Sequence, residues 1–377
     1  MSASNLYIYV MSGTGNSYRA ATWLAEQAEQ AQGQARLIAI GQGPVRETIP
    51  DDPSTLVALF MPTHGFTLPW HMLKFLFKLP RVRNAQALTV ATRGGLKIGP
   101  VCTPGISGTA TLIAALVLAV KGYSVRGAMS FDMPSNWMSL HWGLHPRNTE
   151  AIIARAERRA RGRFDRILAG GQHWWTLNNL YEFLWGVALI PFSIGYLLFG
   201  RLFLAKLFFA SNRCDRCGVC AAVCPVGAID LKRAGDGRPY WKHFCESCMR
   251  CMAFCPNQAI EAGQNWAVLL GWLISIPFVA WGLARLGSWL PLGSFARSSW
   301  VVETLQLLYI YPAVFLSYFV FRQLLRIRLF NQLVTWTTFT HLYRRYREPK
   351  ILLKQIIAAK GSRPRDFARK AQEPKAR

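Results

Sequence analysis

Two cysteine arrays constrain this chain more than any other feature: CDRCGVCAAVCPVGAI, beginning at Cys214, and CESCMRCMAFCPNQAI, beginning at Cys245. Together they hold eight of its nine cysteines. Each reads C-x2-C-x2-C-x3-C-P, so one tight loop aims three thiolates at one centre and a fourth follows just before a proline. A zinc module would use two C-x2-C pairs, which leaves the third cysteine and the C-P unexplained. Disulfides would need an oxidising compartment and an export signal. The amino terminus, MSASNLYIYVMSGTGNS, carries neither a basic n-region nor a cleavage site, so free thiolates on the cytoplasmic side are expected.

In these motifs the chain resembles the bacterial 2[4Fe-4S] ferredoxin domain, in which the fourth cysteine of each run serves the other cluster. The resemblance implies that Cys214, Cys217, Cys220 and Cys255 hold one [4Fe-4S] cluster. Cys245, Cys248, Cys251 and Cys224 would then hold the second, which makes the arrays interlocked. Cys102 has no cysteine or histidine at ligand spacing and reads as a plain thiol.

The amino-terminal half carries a second signature. Leu6 to Met11 is a short apolar, β-branched and aromatic run; it leads into Ser12-Gly13-Thr14-Gly15-Asn16-Ser17 and then a helical stretch, Tyr18 to Gln32. A glycine-bearing loop between strand and helix start is an anion site, where backbone amides point at a phosphate and hydroxyls add donors. The wording S-x-T-G-N-S resembles the FMN phosphate loop of flavodoxins, whereas the Rossmann G-x-G-x-x-G is not matched. Further strand-like runs at 36–40, 55–61, 87–92 and 124–131 alternate with helical stretches at 70–79 and 109–121, which predicts an α/β, doubly wound parallel sheet. In the flavodoxin-like order the ligand lies at the carboxyl ends of the strands, which nominates loops 12–17, 62–70 and 92–100. From these, Thr63, Phe66, Trp70 and Thr92 are candidate flavin contacts, with the main chain of Arg93, Gly94 and Gly95 cradling the polar edge of the ring. Arg93 and Lys97, with no acid in the two flanking loops, predict an electropositive surround.

The chain is 377 residues long, 51% hydrophobic, with a net charge of +25. Arginine-rich flanks around apolar runs fit cytoplasmic juxtamembrane segments and anionic lipid. Nucleic acid, the other usual partner of such charge, is not expected, because no nucleic-acid-binding motif accompanies it. A basic amphipathic helix is expected from Asn148, capped by Asn148 or Thr149, with Ile153, Ala156, Ala160, Phe164 and Ile167 on its apolar face. Leu177 to Ala210 is apolar and broken by Pro191 and Gly195, too short for two full spans and flanked by arginine at both ends, so re-entrant or interfacial helices are expected. Trp266 to Leu283 and Trp300 to Phe321 are candidate spans, with Trp266, Trp281, Trp289 and Trp300 near their ends as an aromatic belt. From Arg322 to Arg377 stand fifteen Lys and Arg against three Asp and Glu, a cytoplasmic tail by the positive-inside rule.

These features divide the chain into a flavodoxin-like domain (1–147), a basic closing helix and linker (148–176), membrane helices (177–210), a small α+β 2[4Fe-4S] ferredoxin domain (211–262), a transmembrane hairpin (263–325) and a basic tail (326–377). The combination resembles flavodoxin-ferredoxin fusion proteins, here with membrane segments added. It implies an iron-sulfur flavoprotein oxidoreductase at the cytoplasmic membrane, its redox domains facing the cytoplasm. FMN and two [4Fe-4S] clusters would pass electrons between an acidic soluble carrier and a membrane acceptor, either a quinone-like molecule or a protein. The competing reading is a redox-sensing or scaffolding subunit of a larger membrane complex, without turnover.

Overall fold

In the computed structural model, which describes residues 4–41, 47–233, 235–287 and 298–357, the amino-terminal alternation becomes a sheet covered on both faces. Its elements are β1 (Asn5–Val10), α1 (Asn16–Gln30), β2 (Gln34–Ala39), β3 (Thr55–Pro62), α2 (Trp70–Lys78), β4 (Gln86–Ile98), β5 (Val101–Thr103), α3 (Ala110–Val120) and β6 (Ser124–Pro134). The parallel strands run β2-β1-β3-β4-β6, the flavodoxin-like order, with β5 folded back antiparallel on the end of β4. Alternation along each strand serves both faces. Ile8, Ala58 and Phe60 pack under α1, while Tyr9, Leu59 and Met61 pack under α2 and α3. Segment 93–98, expected as a loop, is strand: Gly94 and Gly95 pair with Met133 and Pro134 of β6.

Helix α4 (Pro146–Leu168) closes the α1 face with Ala156, Ala160, Phe164 and Ile167, the residues its periodicity marked. It starts earlier than expected, at Pro146, because proline is preorganised for the first helical position and His145 accepts from the Arg147 N–H. Neither Asn148 nor Thr149 is the cap.

The joining segment forms α5 (Leu177–Ala188), α6 (Ile190–Gly195), a π-helical turn (Tyr196–Gly200) and α7 (Arg201–Ala205), bent by 66° after α5. Helix α5 buries Glu182 and Gly186 on the flavodoxin-like domain and exposes Leu180, Phe183, Leu184 and Val187. Glu182 is held by the buried guanidinium of Arg93 and by the amides of Ser107 and Gly108, at 2.9 and 2.8 Å.

The cysteine region contains β7 (Phe208–Ala210), α8 (Val219–Ala222), β8 (Ile229–Asp230), β9 (Tyr240–Trp241), α9 (Arg250–Ala253) and β10 (Ile260–Ala262), with antiparallel pairs β7·β10 and β8·β9. Then come α10 (Gln264–Leu273), α11 (Ile276–Gly287), α12 (Ser299–Leu324), α13 (Arg328–Thr337), a 3-10 turn (Phe339–Leu342) and α14 (Leu353–Ile356). Helix α12 is long and apolar enough to cross a membrane. The run from Trp266 to Leu283, read as one span, is instead two helices meeting at 47°; Pro277 at the start of α11 cannot continue the α10 hydrogen-bond ladder. Trp289 of the expected belt and residues 358–377 of the expected tail lie outside the described residues. The described part of that tail packs back on both redox domains: Thr338 and Thr340 bond Gln264 and Ala262, and the Tyr346 hydroxyl donates to Asn16.

Candidate functional site

The two arrays share one backbone. Arg216 and Ser247, Gly218 and Met249, and Gly227 and Gln258 occupy equivalent positions, and all six have positive φ between 47° and 76°. Residues other than glycine rarely adopt that conformation, and here it turns successive amides inward to form a concave nest. The Ala228 amide donates to the Cys224 sulfur and the Ala259 amide to the Cys255 sulfur, both at 3.3 Å.

The thiols fall into two cages. One cavity is lined by Cys214, Cys217, Cys220 and Cys255, and another by Cys224, Cys245, Cys248 and Cys251. Each set surrounds a space rather than a point, and no trio of His, Cys, Asp or Glu among the described residues is placed to hold a single ion. Burial pushes the Cys217 and Cys248 thiols up to about 11; a metal centre would reverse that shift.

A third cavity, of about 320 Å³, opens at the carboxyl ends of the strands. Its walls include Gly13 and Asn16 of the first loop, Thr63 and Phe66 of the second, and Thr92, Arg93 and Gly94 of the third. The opposite wall is Ser247, Cys248 and Met249, so the cavity touches the second cysteine cage directly. A Cβ on Gly13 would lie 1.9 Å from the Cys248 carbonyl oxygen, a distance only glycine permits. Arg250, 2% exposed, bridges the same seam by donating to the Ser12 and Val223 carbonyls, and no carboxylate among the described residues pairs with it.

Several sequence candidates stand elsewhere. Trp70 is not on the cavity wall; its ring lies under the Arg201 guanidinium, 5.1 Å away. Gly95 is taken up by the strand pairing, and a Cβ added there would lie 2.9 Å from that of Asp132. The Arg93 guanidinium does not make the cavity electropositive, because Asp132 and Glu182 neutralise it.

In the phosphate-type loop the side chains are engaged within the protein. Ser12 accepts from the Gly15 amide, Ser17 bonds Thr92, and Thr14 accepts from Asn136. The amides of Gly13, Thr14, Asn16 and Ser17 have no partner among the described residues, so the loop presents backbone donors to an anion. That donor set, beside a ring-sized cavity, fits a phosphorylated flavin through amides alone.

The site also contains Tyr196, which the sequence did not single out, beside the loop residue His64. Tyr196 packs over Gly65, where an added Cβ would lie 2.1 Å from its ring, and His64 sits 3.9 Å from buried Glu246. The π-helical turn carrying Tyr196 has no signal in a single sequence.

Residues 206–256 match the 4Fe-4S dicluster domain family. Over 47 residues the chain is 51% identical to NADH-quinone oxidoreductase subunit I 1 of Rhodopseudomonas palustris (strain HaA2), covering 12% of this chain and 28% of that one. Subunit I of the same enzyme from Buchnera aphidicola subsp. Cinara cedri (strain Cc) is 39% identical over 56 residues, 14% of this chain and 31% of that one. The chain thus spans less than a third of the length of these relatives. A flavodoxin from the domain Archaea overlaps 43% of this chain and 98% of its own, at 10% identity and a TM-score of 0.26. Rubredoxin oxygen:oxidoreductase from Desulfovibrio gigas overlaps 43% of this chain and 37% of its own, at 15% identity and a TM-score of 0.26. The strand order identifies the amino-terminal fold independently of these overlaps. The chain thus joins a flavodoxin-like fold, identified by its strand order, to a region that matches the 4Fe-4S dicluster domain family.

Proposed function

We propose that the chain is a membrane-associated electron-transfer oxidoreductase that binds FMN in the 320 Å³ cavity and one [4Fe-4S] cluster in each cysteine cage. Cys214, Cys217, Cys220 and Cys255 would hold one cluster, and Cys224, Cys245, Cys248 and Cys251 the other. The observation that carries this reading is the shared wall: one cavity is bounded by the phosphate-type loop on one side and by Cys248 on the other. A flavin supplies two-electron chemistry and each cluster one-electron chemistry, so the assembly would convert between them.

The protein's own residues set the conditions of exchange. Gly13 brings the two loops into contact, Arg250 fixes their spacing and places a buried positive charge at the cage, and Phe66 and Trp137 flank the cavity. The test is anaerobic purification with iron, sulfide and flavin quantified: about eight irons and one flavin per chain are expected for two cubanes. Clusters without flavin would instead favour a scaffolding or sensing subunit.

The membrane arrangement follows from where the helices begin and end. Helix α10 follows directly on β10 of the dicluster region and bonds α13 through Asn265 and Thr337, and the start of α13 is tied to the dicluster region by Asn212, which donates to the Arg328 carbonyl at 2.9 Å. Helix α5 starts on the flavodoxin-like domain and α7 ends beside β7. On this reading each excursion returns to its starting side; the basic flanks of the apolar helices support a cytoplasmic face for both redox domains, and the basic surface an acidic soluble carrier as their partner. Single cysteines replacing Trp175 and Lys232, in a Cys102→Ser background, should be labelled from the same side of oriented vesicles. Labelling from opposite sides would contradict this topology.

A further inference from the structure

One buried position differs in charge between the two cysteine arrays. Residue for residue the repeat sets Asp215 against Glu246, Cys217 against Cys248, and Val219 against Arg250. Val219 is 1% exposed and belongs to the apolar core, and Arg250 is 2% exposed at the equivalent place. A guanidinium taken out of water needs an anion near it. Arg250 has only carbonyl oxygens for partners, that of Val223 at 3.0 Å and that of Ser12. The groups its charge acts on are Cys248, Cys224 and Cys251, three of the four cysteines in the cage beside the flavin cavity. At Cys248 burial, which raises the thiol's pKa, is followed by Arg250, which lowers it, ahead of Glu246.

The other charges around the cages do not cancel this difference. Glu246 has its counterpart in Asp215 and stands 3.9 Å from His64. Lys206, 1% exposed, adds a second cation on the flavin side: its charge reaches Cys245, and its ammonium donates to the Trp241 carbonyl at 2.6 Å. Beside the first cage, Arg238 is answered by Asp236 at 3.9 Å and Asp215 is exposed to solvent. Backbone donors do not separate the cages either, because the Ala228 and Ala259 amides reach Cys224 and Cys255 at the same 3.3 Å. Cys245 is buried while the other seven cysteines of the arrays are half-buried, so desolvation alone would make the flavin-side cluster the harder one to charge.

A [4Fe-4S] cluster on four thiolates gains one negative charge when it takes an electron, and its potential follows the charge and hydrogen bonds around it. A fixed cation in a water-poor interior favours that added charge far more than the same cation would in water. We propose that Arg250 raises the reduction potential of the cluster held by Cys224, Cys245, Cys248 and Cys251 above that of its twin, so that electrons entering through the flavin cavity settle first on the cluster beside it. The two carbonyls pin the guanidinium in the seam between the loops, where its charge serves this one cage. The assignment rests on the electron-transfer reading above.

The experiment is an anaerobic redox titration of the full chain in lipid nanodiscs, with the reduced clusters followed by electron paramagnetic resonance. Two one-electron steps are expected in the wild type. Cys251→Ser should abolish the higher step, since Cys251 lies in the flavin-side cage whichever way the fourth ligands cross. Arg250→Gln, which keeps a donor for one carbonyl but removes the charge, should retain its iron and the other cluster's step. At a given potential it should lower the ratio of reduced to oxidised flavin-side cluster about tenfold, a shift of about 59 mV for a one-electron couple. Arg250→Lys, which keeps the charge, should stay close to the wild-type potential. An unshifted Arg250→Gln overturns the proposal, and so does an equal shift in Arg250→Lys, which would trace the effect to spacing rather than charge. Should Arg250→Gln lose iron, the wild-type order decides: a single step, or loss of the lower step in Cys251→Ser, overturns the proposal while leaving electron transfer intact. A wild type with no reducible cluster removes the electron-transfer reading as well.

Discussion

Replacing Cys224 with Ser should empty the cage of Cys245, Cys248 and Cys251 and leave that of Cys214, Cys217 and Cys220 loaded, although Cys224 belongs to the first array. The cavities motivate this: Cys224 lines the second cage and Cys255 the first. The helical turns α8 and α9 carry each terminal cysteine across to its neighbour's cage, so sequence proximity and spatial proximity disagree for these two residues. Iron content is expected to fall from about eight to about four per chain, as one of two cubanes is lost. Because the emptied cage is the one that touches the flavin cavity, exchange with the flavin should disappear too. Cys255→Ser should remove the same amount of iron and spare that exchange. If Cys224→Ser empties the cage of its own array, the crossed assignment fails.

The second large effect belongs to Gly13. A methyl group there would lie 1.9 Å from the Cys248 carbonyl oxygen, and Arg250 ties the Ser12 carbonyl to the Val223 carbonyl across the same seam, so neither loop can retreat freely. Overpacking of this kind costs about 1–3 kcal/mol, and more where only backbone can yield. Gly13→Val should lower the melting temperature and release flavin before iron. Gly162→Ala makes the control: nothing lies within 4 Å of an added Cβ on α4, and replacing a helical glycine should add up to about 1 kcal/mol. Comparable behaviour of the two variants would dismiss the seam as a determinant of flavin binding.

The sequence was most legible where the pattern is local. The cysteine spacing, the strand-loop-helix at Ser12 to Ser17 and the alternating strands are all readable within a few dozen residues, and the resemblance to flavodoxins carried by that loop implied the sheet order. What could not be read depends on residues distant in the chain. Arg93 looked like a free cation because its partner Glu182 is far downstream, in a segment read only as apolar. Gly94 and Gly95 looked like a flexible loop because strand pairing with β6 is invisible in their own composition. The bend at Pro277 was hidden by an uninterrupted apolar run. The fold-back of Tyr346 and Glu348 onto the first loop was hidden by the net charge of the segment carrying them: the Glu348 amide donates to the Thr14 carbonyl at 2.8 Å and leaves a carboxylate beside Arg19. The shared wall between the flavin cavity and Cys248 belongs to the same class.

That wall is what the account depends on, and flash photoreduction of the bound flavin tests it directly. With absorbance followed at the iron-sulfur bands, the clusters should be reduced in a first-order step whose rate does not depend on protein concentration, and Cys224→Ser should abolish it. A rate that rises in proportion to protein concentration, or bound flavin that never reduces a cluster, would contradict it.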